Sequence, residues 1–160
     1  MQTEFTLNGR LYRHDGEPRD TLADTLRERA GLTGLHLGCE QGACGACTVL
    51  MDGVIVRSCL VLTAMCAGRE VRTLEGLRDD PAMRALKHAF HTCHALQCGF
   101  CTPGMLIAGH DIIRRFPVLD AATVRHELAG QICRCTGYVG IVNAILQAHA
   151  ALAADPTETP

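Results

Sequence analysis

Gly38-Cys39-Glu40-Gln41-Gly42-Ala43-Cys44-Gly45-Ala46-Cys47 is the stretch on which the reading of this chain turns. Its three cysteines stand at C-x4-C-x2-C spacing, and a fourth, Cys59, follows after eleven intervening residues. That is the plant-type spacing for a [2Fe–2S] cluster. The glycines between the cysteines serve the same chemistry. Sulfide and thiolate carry negative charge and are stabilised by backbone N–H groups aimed at them. A loop wraps that closely only where Cβ atoms are absent or positive φ is allowed.

On either side of this loop the pattern is that of short strands. Residues 3–7 alternate apolar and polar, Asn8-Gly9 is a type I′ turn signal, and residues 11–13 begin a return strand. Asp20 or Thr21 caps an expected helix over 22–30, with Asp24 as the capping-box acid if Thr21 is the cap, and Gly31 and Gly34 end it. Past the cysteines, residues 48–51 and 54–58 flank Asp52-Gly53 as a second hairpin. Residues 60–66 read as a helical turn and 69–73 as a last strand. Strands, one crossing helix and a glycine-rich loop predict a small α+β domain over residues 1–76.

After Gly76 the periodicity changes to that of helices. Asp79 and Asp80 precede Pro81, which places Pro at the first helical position of a segment over 81–95. Thr102-Pro103 opens a helix over 103–115, Asp120 caps one over 121–129, and a last helix is expected over 138–153. Four helices with short links predict a bundle over 77–153, followed by a polar, Pro-rich flexible tail over 154–160.

This half has its own cysteines: Cys98-x2-Cys101 and, 31 residues later, Cys133-x-Cys135. Both pairs fall at expected helix boundaries, so an antiparallel bundle can bring them to one end, where helix N-termini favour an anion. Zinc also takes four thiolates, and C-x2-C at 98–101 is compatible with it. The C-x-C at 133–135 is less usual for zinc, and the loop at 39–47 fits a dinuclear cluster better.

Composition narrows the classes. The 160 residues suffice for one ordinary domain or two small ones, with 48% hydrophobic residues, 4% aromatic and no Trp, so the core is aliphatic. The net charge of −2 offers no basic stripe for nucleic acid. Ten cysteines without an apolar leader point to metal or redox use in the cytoplasm rather than to disulfides, and no apolar run is long enough for a membrane span. No G-x-G-x-x-G, P-loop or nucleophile motif is present. The chain has places for electrons and none for a substrate, so no catalytic residue is expected in it.

Four stretches, GCEQGACGACTVLMDG at 38–53, RSC at 57–59, LQCGFCTPGM at 96–105 and CRCTGY at 133–138, occur together and in this order. In this respect the chain resembles, over about residues 3–150, the small iron–sulfur subunit of the molybdenum hydroxylases: the xanthine dehydrogenase, aldehyde oxidoreductase and aerobic carbon monoxide dehydrogenase family. The resemblance implies a β-grasp, ferredoxin-like domain followed by a four-helix bundle, with two [2Fe–2S] clusters. One is held by Cys39, Cys44, Cys47 and Cys59, the other by Cys98, Cys101, Cys133 and Cys135. It implies an electron-transfer subunit, with electrons passing from molybdopterin, as the cytosine dinucleotide, in a large subunit to the second set. They then cross to the first set and reach FAD in a medium subunit, within a dimer of heterotrimers. Gln97 and Cys135 are implied to lie against the pterin. A chain of this length implies separate partner polypeptides, as in the bacterial three-subunit enzymes. The alternatives are a free-standing ferredoxin-like carrier and a zinc-binding adaptor.

Other residues invite blander readings. Cys66 and Cys93 read as small buried hydrophobes. His88, His91 and His94 share the 81–95 helix at a three-residue step that drifts around it, so they read as a solvated or interface-facing surface. Arg134 and Arg57, next to ligand cysteines, are equally suited to stabilising sulfur and to a structural salt bridge. Glu40 and Gln41 are expected at the exposed rim of the first loop.

Overall fold

The computed structural model describes residues 1–154. Strands β1 (Gln2–Leu7) and β2 (Arg10–Asp15) form an antiparallel hairpin. Asn8 and Gly9 turn it with φ of 50° and 80°, the paired positive values that a type I′ turn demands. Thr3, Phe5 and Leu7 of β1 face inward, as the alternation predicts.

Thr21 caps the next segment. Its hydroxyl accepts the Asp24 N–H at 3.1 Å and approaches the Asp24 carboxylate at 2.6 Å. Asp20 is not the cap and instead meets His14 at 3.1 Å and Arg29 at 3.2 Å. The expected regular helix over 22–30 is corrected: α1 (Leu22–Asp24) passes at once into a wider π turn, Thr25–Arg29. The widening accompanies a buried hydrogen bond of 2.7 Å between the Thr25 and Thr63 hydroxyls, which pulls a polar position into the core beside Leu22 and Leu26.

Strands β3 (Thr48–Met51) and β4 (Val54–Arg57) pair around Asp52-Gly53. The second strand stops one residue short of expectation because the chain must turn there. Ser58 donates through both its amide (3.3 Å) and its hydroxyl (2.7 Å) to the Cys47 carbonyl, winding Ser58–Leu60 into a 3-10 turn that carries Cys59 to Cys47. The single helical turn expected over 60–66 is two: a second 3-10 turn, Thr63–Cys66, follows an extended pair at Val61 and Leu62. Hydrogen bonds from Leu22 to Val61 and from Thr63 to Asp20 hold that pair straight. Strand β5 (Glu70–Arg72) completes a mixed sheet of order β2-β1-β5-β3-β4, with β5 parallel to β1 and antiparallel to β3.

The rest is helical: α2 (Pro81–Thr92), α3 (Thr102–Arg115), α4 (Ala121–Glu127) and α5 (Val139–Ala154). Asp80 caps α2 through Met83 N–H at 2.9 Å, and Asp120 caps α4 through Thr123 N–H at 2.7 Å. Helix α2 ends three residues earlier than expected, because His94 turns to φ 51° and Ala95 bonds back to Phe90. The last turn of the third expected helix tightens into a 3-10 turn at Leu128–Gly130. Ala154 closes α5, and the rest of the expected tail lies outside the described residues.

Two cores result. Phe5, Leu22, Leu26, Val49 and Val71 fill one, and Met83, Leu86, Phe90, Ile107 and Ile145 are among those that fill the other. Neighbours on β3 divide between them: Val49 joins the sheet core, and Leu50 joins the helices. The sheet therefore buries apolar side chains on both faces, which docks the helical half on the loop that bears the first cysteines. Among the described residues no helix is long and apolar enough to cross a membrane.

Candidate metal centres

The first loop adopts the backbone that its glycines predict. Gly42 and Gly45 sit at φ 78° and 80°, and Glu40 at 52°. The Cys44 N–H donates to Cys39 Sγ at 3.3 Å. Amides of Gln41, Cys44 and Ala43, with the Cys44 side chain, bring the Cys39 thiol down to about 7. Cys59 packs against Cys47, and burial first, then this neighbour, pushes its thiol up to about 11. Exposed Glu40 and Gln41 form the rim, as expected, although the Gln41 amide also faces sulfur.

The second set converges from the two helix junctions. Cys98 Sγ lies 3.5 Å from Cys135 Sγ, Cys101 meets Cys133, and the Thr136 hydroxyl donates to Cys133 Sγ at 3.2 Å. Burial, then Cys133, drives the Cys101 thiol up to about 12. Cys98 is lowered, chiefly by the Phe100 amide, and Cys135 is raised by its bond to Cys98. Burial raises Cys133, but the Thr136 hydroxyl and amide and the Cys135 amide outweigh it, leaving it lowered. The set is graded in exposure: Cys98 and Cys135 are open, Cys101 is half-buried and Cys133 is buried. Gln97 is exposed at the open side.

The donors are therefore thiols in pairs: Cys39 with Cys44, Cys47 with Cys59, Cys98 with Cys135 and Cys101 with Cys133. Zinc at a Zn–S distance of about 2.3 Å would draw four sulfurs into one tetrahedron. Two thiol pairs per site, with backbone amides aimed at sulfur, are a donor set that would suit a [2Fe–2S] cluster.

Residues 5–74 match a family described as a 2Fe-2S iron-sulfur cluster binding domain, and residues 73–146 one described as a [2Fe-2S] binding domain. The nicotine 6-hydroxylase small subunit of Paenarthrobacter nicotinovorans is 48% identical over 92% of this chain and 89% of its own. The chain belongs to the small iron–sulfur subunits of the molybdenum hydroxylase family. Within that family the xanthine dehydrogenase iron-sulfur-binding subunit of Escherichia coli O157:H7 is 43% identical over 89% of this chain and 91% of its own. The crystal structure of quinoline 2-oxidoreductase from Pseudomonas putida 86 superposes with a TM-score of 0.90 at 46% identity, covering 96% of both chains. As a member of this family the chain serves electron transfer in an oxidoreductase.

Several side chains differ from their sequence readings. Among the described residues Arg57 makes neither a salt bridge nor a sulfur contact; it donates to the Thr48 hydroxyl and the Gly130 carbonyl, both at 2.6 Å, and ties the two halves together. Arg134 is exposed and makes no ion pair among the described residues. His94 lies outside α2, while exposed His88 and His91 remain on it. Cys66 is fully buried, with burial pushing its thiol up to about 11, as a small core hydrophobe should be. Cys93 is only half-buried, and its thiol donates to Gln147 at 3.0 Å. Three residues escaped the sequence reading: His36, stacked on Phe100 at 4.8 Å, Gln131, whose side chain reaches Thr48 beside the first loop, and Tyr138, whose hydroxyl braces the second loop between the Cys133 N–H and the Gln131 carbonyl. Only Tyr138 carried a signal, as the last residue of CRCTGY.

Proposed function

We propose that Cys39, Cys44, Cys47 and Cys59 hold one [2Fe–2S] cluster and that Cys98, Cys101, Cys133 and Cys135 hold the other. The domains run over 1–76, a β-grasp, and 77–153, a four-helix bundle. Each cluster, when bound, supplies a one-electron carrier. The thiolates hold iron, the amides of Gln41, Cys44 and Phe100 offset charge on sulfur, and the packed cores exclude water from Cys47 and Cys133.

Electrons enter at the second set from molybdopterin (the cytosine dinucleotide) in a large partner subunit and leave by the first set towards FAD in a medium subunit. The single observation that carries this direction is the exposure gradient of the second set. Gln97, Cys98 and Cys135 lie open, where Gln97 can offer its amide to a pterin edge. Exposed apolar residues flank both sets along the chain: Leu96, Phe100, Ile132 and Val139 the second, and Leu60, Leu62 and Met65 the first. Such a surface suits a subunit in a heterotrimer, paired as a dimer in the cytoplasm, better than a free carrier. The nicotine, xanthine and quinoline enzymes among the relatives point to an N-heterocycle as the parent substrate.

The test is electron paramagnetic resonance on the reduced protein. Cys39→Ser and Cys98→Ser each remove a different one of two cluster signals. Zinc without iron in the purified chain refutes the reading. Native protein that runs alone, with no flavin or molybdenum partner, refutes the assembly.

A further inference from the structure

The two thiol sets differ in where the neighbouring hydroxyl protons point. Beside the first set, the Ser58 hydroxyl donates to the Cys47 carbonyl at 2.7 Å, and the Thr48 hydroxyl donates to the Gly45 carbonyl at 2.6 Å. Both protons are spent on backbone. The sulfurs there face amides instead, as the Cys44 N–H faces Cys39 Sγ at 3.3 Å. In the second set the Thr136 hydroxyl donates to Cys133 Sγ itself, at 3.2 Å. Among the described residues it is the one hydroxyl that donates to a cysteine sulfur.

The fold directs that proton. The Tyr138 N–H donates to Thr136 Oγ1 at 3.2 Å, so the oxygen already accepts and its own proton is left for the sulfur. The turn that brings this N–H back runs through Gly137 and Tyr138, at φ 63° and 69°. The second value is uncommon for a bulky residue and has to be held. The Tyr138 hydroxyl holds it, accepting the Cys133 N–H at 2.9 Å and donating to the Gln131 carbonyl at 3.0 Å. The same bond spends the Cys133 amide away from sulfur. Cys133 is 8% exposed, whereas Cys98 and Cys135 lie open to solvent. A buried thiolate has little water around it and depends on the donors that the chain supplies.

We propose that Thr136 is a positioning residue that, acting through Cys133, raises the reduction potential of the second cluster relative to the first. Reduction adds one negative charge, which spreads onto the sulfurs. A hydroxyl donor at Cys133 therefore holds the reduced state more strongly than the oxidised one. One electron is taken up, supplied by the molybdenum centre of the large partner subunit or, in a titration, by dithionite. No bond forms or breaks, and the hydroxyl keeps its proton. A second set raised in this way is the better acceptor for an electron arriving from a partner. The first set, whose neighbouring hydroxyls donate to carbonyls, receives no such lift. The inference rests on the two-cluster reading above.

The experiment uses the full chain carrying its iron. It is titrated with dithionite, and both cluster signals are followed by electron paramagnetic resonance alongside iron content. Thr136→Val keeps the shape and removes the hydroxyl. It lowers the reduction equilibrium of the second set about tenfold, ~59 mV for one electron. The first midpoint and the iron content stay at their wild-type values. Thr136→Ser, which keeps the hydroxyl, recovers most of the loss. Thr136→Ala repeats the effect of Thr136→Val and decides if the valine variant does not assemble. An unchanged second midpoint in a variant that keeps both signals overturns the proposal. So does an equal drop in both sets, or a drop in Thr136→Ser as large as in Thr136→Val. Absence of a second signal in the wild-type chain overturns the two-cluster reading instead.

Discussion

Gly45→Ala and Gly53→Ala make a matched pair, because the two glycines have almost the same backbone and opposite surroundings. Their φ values are 80° and 78°. A Cβ at Gly53 meets nothing within 4 Å, so its alanine variant bears only left-handed strain, about 1–2 kcal/mol. A Cβ at Gly45 would stand 2.0 Å from the Gln131 amide and 2.8 Å from the Gly130 carbonyl. The amide can swing away, but at the loss of two buried hydrogen bonds of about 1 kcal/mol each. The carbonyl is backbone and moves only with the loop, an overpacking cost of about 1–3 kcal/mol. Gly45→Ala should therefore be less stable than Gly53→Ala by about 3–5 kcal/mol, a melting gap on the order of 6–20 °C for a chain of this size. Thermal unfolding followed by circular dichroism, on samples matched for iron content, measures it. A double variant sharpens the assignment: Gln131→Ala should cost less in the Gly45→Ala background than in wild type, since the obstructing amide is already displaced. Equal melting of the two alanine variants, or strict additivity with Gln131→Ala, would refute the view that Gln131 locks the two loops together.

Arg57 bridges the same seam from the sheet side. Arg57→Met should cost about 1.5–3 kcal/mol by urea unfolding, the range for hydrogen bonds to a charged group, and Arg57→Lys should fail to restore it because a single ammonium cannot span Thr48 and Gly130. Asp80 gives a pH prediction. Burial pushes its carboxyl up, but the Met83 amide and His110, 3.2 Å away, outweigh this and hold it below the ordinary 3.8. A depressed folded value means stability that is complete above the ordinary carboxyl range and is lost as pH falls through the lower folded value. Asp80→Asn should therefore flatten the acid limb of a stability profile taken between about pH 5 and pH 2. Cys66→Ala should keep both resonance signals and cost only about 1–2 kcal/mol for the small cavity; loss of iron from it would contradict its place as core.

What the sequence made legible is whatever is decided within a few residues. Asn8-Gly9 and Asp52-Gly53 turn the two hairpins because their φ values need no distant support. Asp80 and Asp120 cap α2 and α4 because the cap is a bond to an amide three residues on. The cysteine spacings belong to the same class: C-x4-C-x2-C brings three thiols to one loop whatever packs behind it. Several misreadings involve a partner farther along the chain. The helix after Thr21 widens around a Thr25–Thr63 bond, and β4 stops where Ser58 turns back to Cys47. Arg57, two residues before Cys59, suits sulfur and a salt bridge equally on its sequence, yet one of its acceptors is a carbonyl 73 residues away.

The same division explains why the relation between the two sets was the hardest part to read. Each set is specified by its own spacing, and nothing in either spacing says how far it lies from the other. That distance is set by the contact of Gly45 with Gly104, where an added Cβ on α3 would stand 2.3 Å from the Gly45 carbonyl, and by Gln131 on the far side of the loop. Gly104 reads in isolation as a weak helix residue, and Gln131 as a polar residue before a turn. Both are instead the surfaces through which the two cores register against each other. The alternation on β3, with Val49 to one core and Leu50 to the other, makes that registration part of the folding of the sheet itself. A chain built this way cannot relax one loop without moving the other, which is the mechanical condition for a fixed tunnelling distance between two redox centres.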